Sequence, residues 1–559
     1  MRQRWSLAVT LLVITAVVFM GIYQSEAKEK TSVTIMSTSD LHGYITPIQY
    51  TNNAPANHGL AKISTLVKQV RSRNPEAILL DSGDTIQGSP MEYVHARVNN
   101  APIDPMMLVM NALRYDAMAI GNHEYNYGRN VMEKAMGEAK FPWLSANTLR
   151  KNKEQVYTKP YKIIKLKNGL RIGFLGLTTQ KVPNWEDPRN IAHLDFVDVV
   201  AAAKKWVPIM KKREKADVIF VSYHGGLEHK KEADGSIVPL PESDGENQVY
   251  QLATQVKGID VILAGHMHTP LADVRVNGVL IAEPNKWGSH LSVVDLDLER
   301  RKGRWNVISK KGRLLESSTV EPDPAILKLT AQYEKETQAF LDQPVGKIDG
   351  NMVVTDHHAF RTHDNALIEF INRLQMEASG APISSTSLFD NTVTGLPREV
   401  TARHILSTYI YPNTLKVIRV KGADIKAALE QSATYFKQNS GTDPVEVNPE
   451  FLTPKVLHYN YDMWEGIRYT IDVSKPEGQR IVELSDMNGH PLVMDKEYDV
   501  VLNNYRAGGG GNYPMFANKP VVKDINIEVS ELLTNYIREK GTVMATVDHN
   551  WKIIGGKVD

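Results

Sequence analysis

The sequence predicts an α/β protein made of two large units, on three observations. Between Thr31 and Ser317, short apolar runs rich in Val, Ile and Leu alternate with charged, amphipathic stretches, the pattern of layered sheets flanked by helices. A proline-bounded helical segment follows, and the remainder of the 559 residues mixes the two patterns again. The composition, 42% hydrophobic, 23% charged and 8% aromatic, is that of ordinary globular proteins and excludes disordered, collagen-like and coiled-coil chains. At roughly 100 to 200 residues per domain, the length accommodates more than one independent core.

The first element lies outside the fold. Arg2 and Arg4 precede an apolar run from Leu7 to Ile22, and Ser25 and Ala27 are the small residues of a cleavage site, so residues 1–27 are expected to be a secretory signal peptide. The competing reading is an uncleaved anchor, but the run falls short of the roughly 20 apolar residues that span hydrocarbon. The mature chain is therefore expected to be secreted, outside the cell or in a cell-wall or periplasmic space, without stable membrane insertion.

The runs that follow are SVTIMSTSD, EAILLDSGD, DAMAIGNHE, RIGFLGLTT, ADVIFVSYHGG and IDVILAGHMH. Each is a short apolar run that breaks into polar residues, as a buried strand does on reaching a sheet edge. Gly59 to Arg73 and Phe196 to Lys212 are amphipathic and predict covering helices. Residues 28–320 thus form one domain. Over 321–344, Asp323 is placed to cap a helix, Pro324 takes its first position, and Ile326, Leu329, Tyr333 and Phe340 share a face, which predicts a linker helix stopped by Pro344. Residues 345–559 form a second mixed α/β domain.

Charge and cysteine content narrow the chemistry. Sixty-five Lys plus Arg against 64 Asp plus Glu give a net charge of +1, too balanced to grip a nucleic acid polymer or anionic lipid, while small phosphorylated ligands remain open. The absence of cysteine excludes disulfides, thiolate ligands and a cysteine nucleophile. A metal must then sit on His, Asp, Glu or Asn.

Five polar clusters each follow a predicted strand: Asp40 and His42 in SDLHG, Asp81 and Asp84 in DSGD, Asn122 and His123 in GNHE, His224 in SYHGG, and His266 and His268 in AGHMH. A lone loop histidine is ordinarily solvated or hydrogen-bonded, and His58, His193, His357, His358 and His404 are left at that reading. Five clusters at strand ends are different. Two divalent cations about 3.5–4 Å apart need a bridging anionic oxygen, further oxygen or imidazole ligands, and open positions for water and substrate; Asp84 is the natural bridge. Imidazole with carboxylate and no sulfur suits Mn, Zn, Fe, Co or Ni better than Ca or Mg.

In this order, D-x-H, G-D-x-x, G-N-H-E and G-H-x-H resemble the calcineurin-like metallophosphoesterases, which implies an αββα sandwich in the first domain. The resemblance implies one ion on Asp40, His42, Asp84 and His268 and a second on Asp84, Asn122, His224 and His266. It also implies that His123 is not a ligand but approaches the phosphoryl group. In the second half, YIYPNT from Tyr409, YNYDMWEG from Tyr459 and NNYRAGGGG from Asn503 resemble the C-terminal domain of the bacterial 5'-nucleotidase superfamily. They are most similar to its 2',3'-cyclic-nucleotide 2'-phosphodiesterase/3'-nucleotidase branch. There, two aromatic rings clamp the base, which implies Tyr459 and Tyr505 here, with Arg506 and Asn413 as polar contacts near base or ribose. Tyr461 and Trp464 also offer flat faces, although aromatics at strand spacing are more often core.

Asn126, three residues after His123 in GNHEYNYG, stands where the 5'-nucleotidase branch carries an aspartate. A neutral partner is expected to make His123 a hydrogen-bond donor more than a strong acid. The chain departs from its relatives over 387–400, where only Arg398 is offered in place of a glycine- and arginine-containing loop. The resemblance thus implies a dinuclear phosphohydrolase acting on small nucleotides with no protein partner. A 5'-nucleotidase or UDP-sugar hydrolase is the alternative, and a noncatalytic surface binding protein the distant one.

Overall fold

The computed structural model describes residues 29–558 apart from 233–235, 242–244, 454 and 526. The predicted signal peptide lies outside the described residues. All six predicted strands form, as Lys30–Thr38, Ile78–Asp81, Ala117–Ala119, Arg171–Thr178, Val218–His224 and Val261–Ala264.

They divide between two six-stranded sheets. In the first, Lys30–Thr38, Ile78–Asp81, Ala117–Ala119 and Trp143–Leu144 run parallel, and His290–Arg301 and Arg304–Glu316 extend one edge antiparallel. In the second, Val279–Pro284, Val261–Ala264, Val218–His224 and Arg171–Thr178 run parallel, flanked by antiparallel Pro270–Val276 and Tyr161–Lys165. The strands are buried on both faces, which is why they are apolar throughout instead of alternating. Val33, Ile35, Ile78 and Leu80 of one sheet meet Phe174, Phe220, Val261 and Leu263 of the other in a central core. Separate outer cores join each sheet to its helices. This is the αββα sandwich.

The covering helices form as Leu60–Arg73 and Val199–Lys212. The second starts later than its hydrophobic pattern, because the Asp198 side chain accepts from the Ala201 N–H at 2.7 Å and caps it there. The single linker helix expected over 321–344 is instead two helices, Pro324–Leu329 and Ala331–Leu341. Thr330 separates them: its hydroxyl donates back to the Ile326 carbonyl at 3.1 Å and its backbone leaves helical geometry at φ −104°, ψ 6°. Ile326 and Leu341 pack into the first domain's core, and Pro344 opens the next strand, Pro344–Asp349.

The C-terminal half is built on a five-stranded sheet ordered Asp462–Glu465, Ile383–Ser387, Glu497–Asn503, Leu415–Lys421, Val521–Ile525. Helix Ala366–Ser379, capped by Asn365, packs on it, and one contiguous core serves the whole half. A three-stranded sheet joins Ile481–Asp486, Ile467–Asp472 and Trp551–Ile554. No helix among the described residues is long and apolar enough to cross a membrane.

Candidate metal centre and substrate face

The parallel strands of both sheets deliver their C-terminal ends to one edge, where open α/β sheets bind ligands. Asp40 follows Thr38, Asp84 follows Asp81, Asn122 follows Ala119, His224 ends its own strand and His266 follows Ala264. Five of the seven predicted ligands hold left-handed backbone: Asp40 (φ 52°), His42 (48°), Asp84 (59°), His266 (74°) and His268 (54°). Such conformations cost on the order of 1–3 kcal/mol each and persist where surroundings over-determine them. Here the Asp40 N–H donates to Gly83 O (2.8 Å), His42 N–H to Asp84 O (2.9 Å) and Trp287 N–H to Asp40 O (2.7 Å). The Glu124 carboxylate accepts from the N–H groups of Asp84, Thr85 and Gly121 at 3.0, 2.5 and 2.6 Å. Gly83 must be glycine: it sits at φ 96°, and a Cβ there would lie 2.5 Å from the Gly121 nitrogen.

Two ligand groups result, Asp40 with His42 and His268, and Asp84 with His224 and His266. Asp84 joins them, its Oδ2 lying 3.0 Å from His224 Nε2 and 4.0 Å from His42 Nε2. Asn122 Oδ1 lies 3.0 Å from His224 Nε2, and His268 Nε2 is 3.2 Å from Asp40 Oδ1. The Nδ1–H of His42 donates to Gln87 O (2.9 Å) and that of His224 to Ser82 O (2.8 Å). This capping fixes the tautomer and turns Nε2 inward, as outer-sphere partners do for ligating histidines. His266 Nε2 meets Glu246 Oε1 at 2.7 Å.

Burial pushes His42 down to about 4 and His268 to about 3, leaving both imidazoles neutral, the state metal binding requires. Burial would raise Asp40, but the hydrogen bond from His268 holds it well below the usual carboxylate range. Asp84 behaves likewise, with burial overcome by the charges of His224 and His123. Burial depresses His224, yet the adjacent Asp84 lifts it to about 10. Two buried ionised carboxylates, an amide and four imidazoles in one site fit a pair of divalent cations. When bound, such ions supply Lewis acidity and lower the pKa of water.

His123 stands beside this centre, its Nε2 3.9 Å from Asp84 Oδ2 and its ring 5.3 Å from that of His42. Behind it, His123 Nδ1 and Asn126 Oδ1 are 2.5 Å apart, and Asn126 Nδ2 donates to Glu186 Oε2 at 2.7 Å. Neutral Asn126 is therefore a relay to a buried carboxylate, not the end of the line. Burial raises the Glu186 carboxyl, against the Asn190, Asn126 and Asp187 donors that oppose it.

The structure sorts the expected base-binding residues. Tyr459 and Tyr505 come together, with ring centroids 6.4 Å apart at 72°, edge to face and not as parallel plates. Glu246 acts on both hydroxyls, and Lys455 donates to the His266 carbonyl at 3.0 Å, so this pair faces the histidine centre of the first domain. Arg506 is a correction. Its guanidinium is 2% exposed and spent on Asp462 (2.8 and 3.1 Å), Tyr459 O (2.7 Å) and Gly510 O, so it braces the two tyrosine loops and offers nothing to a ligand. Asn413 is half-buried; its carbonyl accepts from Val529 N–H (2.9 Å) and its side chain acts on the buried Tyr409 hydroxyl. Tyr461 and Trp464 are core. The glycine run also has a different use: a Cβ on Gly510 would strike the Tyr505 ring at 2.7 Å, and Gly508 abuts the Asn184 carbonyl of the first domain. Arg398 lies in the turn before strand Glu399–Thr401, its carbonyl accepting from Ile348 N–H at 2.9 Å.

Three acids escaped the sequence reading. Glu124 was in view inside GNHE, and its neighbours' need for a backbone acceptor was the available signal. Glu186 and Glu246 arrive from distant loops and carry no local signature.

Fold and site together define a metal-dependent phosphoesterase. Residues 33–270 match the calcineurin-like phosphoesterase family and residues 344–518 the 5'-nucleotidase C-terminal domain. The chain is 29% identical to the trifunctional nucleotide phosphoesterase protein YfkN of Bacillus subtilis over 95% of its own length, spanning 39% of that protein. It is 28% identical to the 2',3'-cyclic-nucleotide 2'-phosphodiesterase/3'-nucleotidase of Haemophilus influenzae, covering 99% of this chain and 92% of that one. A solved candidate 5'-nucleotidase from Staphylococcus aureus, in complex with α-ketoglutarate, superposes with a TM-score of 0.82 at 31% identity, covering 94% of this chain and all (100%) of that one. The chain belongs to the 5'-nucleotidase family, a calcineurin-like metallophosphoesterase domain followed by a 5'-nucleotidase C-terminal domain. Calcineurin-like phosphoesterases use divalent metals, and this chain holds candidate groups for them.

Proposed function

We propose that this protein is a secreted, metal-dependent phosphohydrolase that opens nucleoside 2',3'-cyclic phosphates at the 2' bond and then removes the 3'-phosphate, yielding nucleoside and phosphate. The observation that carries it is the meeting of a two-group ligand site sharing Asp84 with an aromatic pair, Tyr459 and Tyr505, from the other domain. Supporting it are full-length relatives named for that two-step activity. On this reading Asp40, His42, Asp84, Asn122, His224, His266 and His268 hold two divalent ions. His123 donates to the phosphoryl or leaving oxygen, oriented through Asn126, and the tyrosines hold the base. The ligands are small nucleotides; the signal-peptide pattern supports secretion.

The second reading, a 5'-nucleotidase or UDP-sugar hydrolase, is favoured by the Staphylococcus aureus likeness. The test is product analysis of protein reconstituted separately with Mn and Zn on 2',3'-cyclic AMP, 3'-AMP, 5'-AMP and a UDP-sugar, with His123→Ala as control. Turnover of the first two through transient 3'-AMP is expected. Dominant cleavage of 5'-AMP or the UDP-sugar would overturn the first reading in favour of the second.

A further inference from the structure

A second group of acids lies in the C-terminal domain and shares no residue with the histidine centre. Asp364 precedes helix Ala366–Ser379, Glu369 lies in its first turn, and Asp548 belongs to the segment leading into strand Trp551–Ile554. One carboxylate oxygen from each lies within 4.8 Å of the others. Oxygens that share one Ca²⁺ at 2.3–2.6 Å stand at most about 5 Å apart, so the three are already at ligand spacing. Arg373, a half-exposed residue, pairs with Glu369 (2.7 Å) and Asp548 (3.2 Å); its single positive charge does not balance the group.

Two further observations point to a missing cation. Both oxygens of Asp364 are shielded from solvent without a donor in hydrogen-bond geometry, and the N–H groups that act on it are those of Asn365 and Asn550. Glu465, at the end of strand Asp462–Glu465, is 3% exposed, its carboxylate has no hydrogen-bond partner among the described residues, and Asp548, Asp364 and Glu369 are the acids that act on it most. A buried carboxylate without a partner is costly, and this one faces three more. Burial, reinforced by those neighbours, raises Glu465 to about 9 and Asp364 to about 6.

We propose that Asp364, Glu369, Asp548 and Glu465 form a binding site for one hard divalent cation of the Ca²⁺ class, distinct from the catalytic pair. The donors are all oxygen, which selects Ca²⁺ over the softer ions that suit imidazole-rich sites. Its structural role follows from what it joins. Glu369 accepts from Thr546 Oγ1 (2.6 Å) and Asp548 N–H (2.7 Å), and Asn550 Nδ2 donates to the Trp464 and Ile467 carbonyls. The ion clamps this C-terminal segment onto the helix and the sheet.

The test uses full-length protein loaded with two equivalents of Zn²⁺, then dialysed against ⁴⁵Ca²⁺ while the thermal midpoint is followed. One Ca²⁺ per chain is expected, with a dissociation constant of about 10⁻⁴–10⁻³ M, as in extracellular modules, and a midpoint raised by roughly 2–3 °C at a hundredfold excess. Asp364→Asn combined with Asp548→Asn should weaken Ca²⁺ at least about tenfold while Zn²⁺ content is retained. Glu465→Gln, which keeps the side-chain shape, tests the same point should that double variant fail to fold. Wild-type protein that binds no Ca²⁺, or variants that bind it as wild type does, would overturn the proposal.

Discussion

Glu186→Gln tests the relay behind His123. A carboxylate is acceptor-only, so Glu186 Oε2 obliges Asn126 to present Nδ2 to it and Oδ1 to His123, where Nδ1–H donates. Glu186 Oε1 also accepts from Asn190 Nδ2 (2.9 Å) and Asp187 N–H (2.7 Å). A glutamine must keep its oxygen toward those two donors, which turns its amide toward Asn126. Asn126 then flips to accept, its Nδ2 faces His123, and the imidazole must carry its proton on Nε2 with no charge behind it. The imidazole loses the tautomer that the Glu186–Asn126 chain imposes on it. Outer-sphere changes of this kind cost about 10–100-fold, or about 1.4–2.7 kcal/mol in the barrier. The assay is kcat and KM on 3'-AMP and 2',3'-cyclic AMP with metal content measured in parallel. The expected result is a loss in kcat, with KM and metal occupancy held. In a His123→Ala background Glu186→Gln should have no further effect, because both changes remove one function. An unchanged kcat, or an additive loss in the double variant, would refute the relay.

Arg506→Met should leave Asp462 buried and uncompensated, lowering stability by about 3–5 kcal/mol, and adding Asp462→Asn should restore part of the thermal midpoint; both residues are almost wholly enclosed. Tyr505→Ala should raise KM for nucleotides about tenfold with kcat little changed, as loss of one base-stacking face of about 1–3 kcal/mol implies, and a steady-state comparison with p-nitrophenyl phosphate, which has no base, separates binding from chemistry. For Glu465 the folded-state carboxyl is raised above its ordinary value of 4.5 to about 9, so between those limits the folded state holds the extra proton and stability falls as pH rises. The thermal midpoint of metal-free protein followed from pH 5 to 9 should decline, and Glu465→Gln should flatten that decline; a slope untouched by the substitution would refute it.

The strands and the order of the strand-end clusters were legible because their causes are local. A strand buried on both faces has to be apolar along its length, and it has to break into polar residues where it meets solvent, so the stretches ending at Asp40, Asp84, Asn122, His224 and His266 marked themselves. The helix caps at Asp198 and Asp323 follow from short-range hydrogen bonds, yet the break at Thr330 depends on one hydroxyl choosing a backbone carbonyl, and the apolar face of the segment gives no sign of it.

What the sequence determined by itself was the two-part α/β architecture, the residue types available to a metal, and the exclusion of thiol chemistry. Only the tertiary structure decided which carboxylate stands behind Asn126, because Glu186 arrives from a loop sixty residues away along the chain. It alone separated Tyr459 and Tyr505, which face the histidine centre, from Tyr461 and Trp464, which are core, and it alone enclosed Arg506 against Asp462. Residue type and spacing record what a side chain is able to do. Whether it meets a ligand, a buried ion or another side chain depends on contacts between segments far apart in sequence, and those exist only once the sheets have packed.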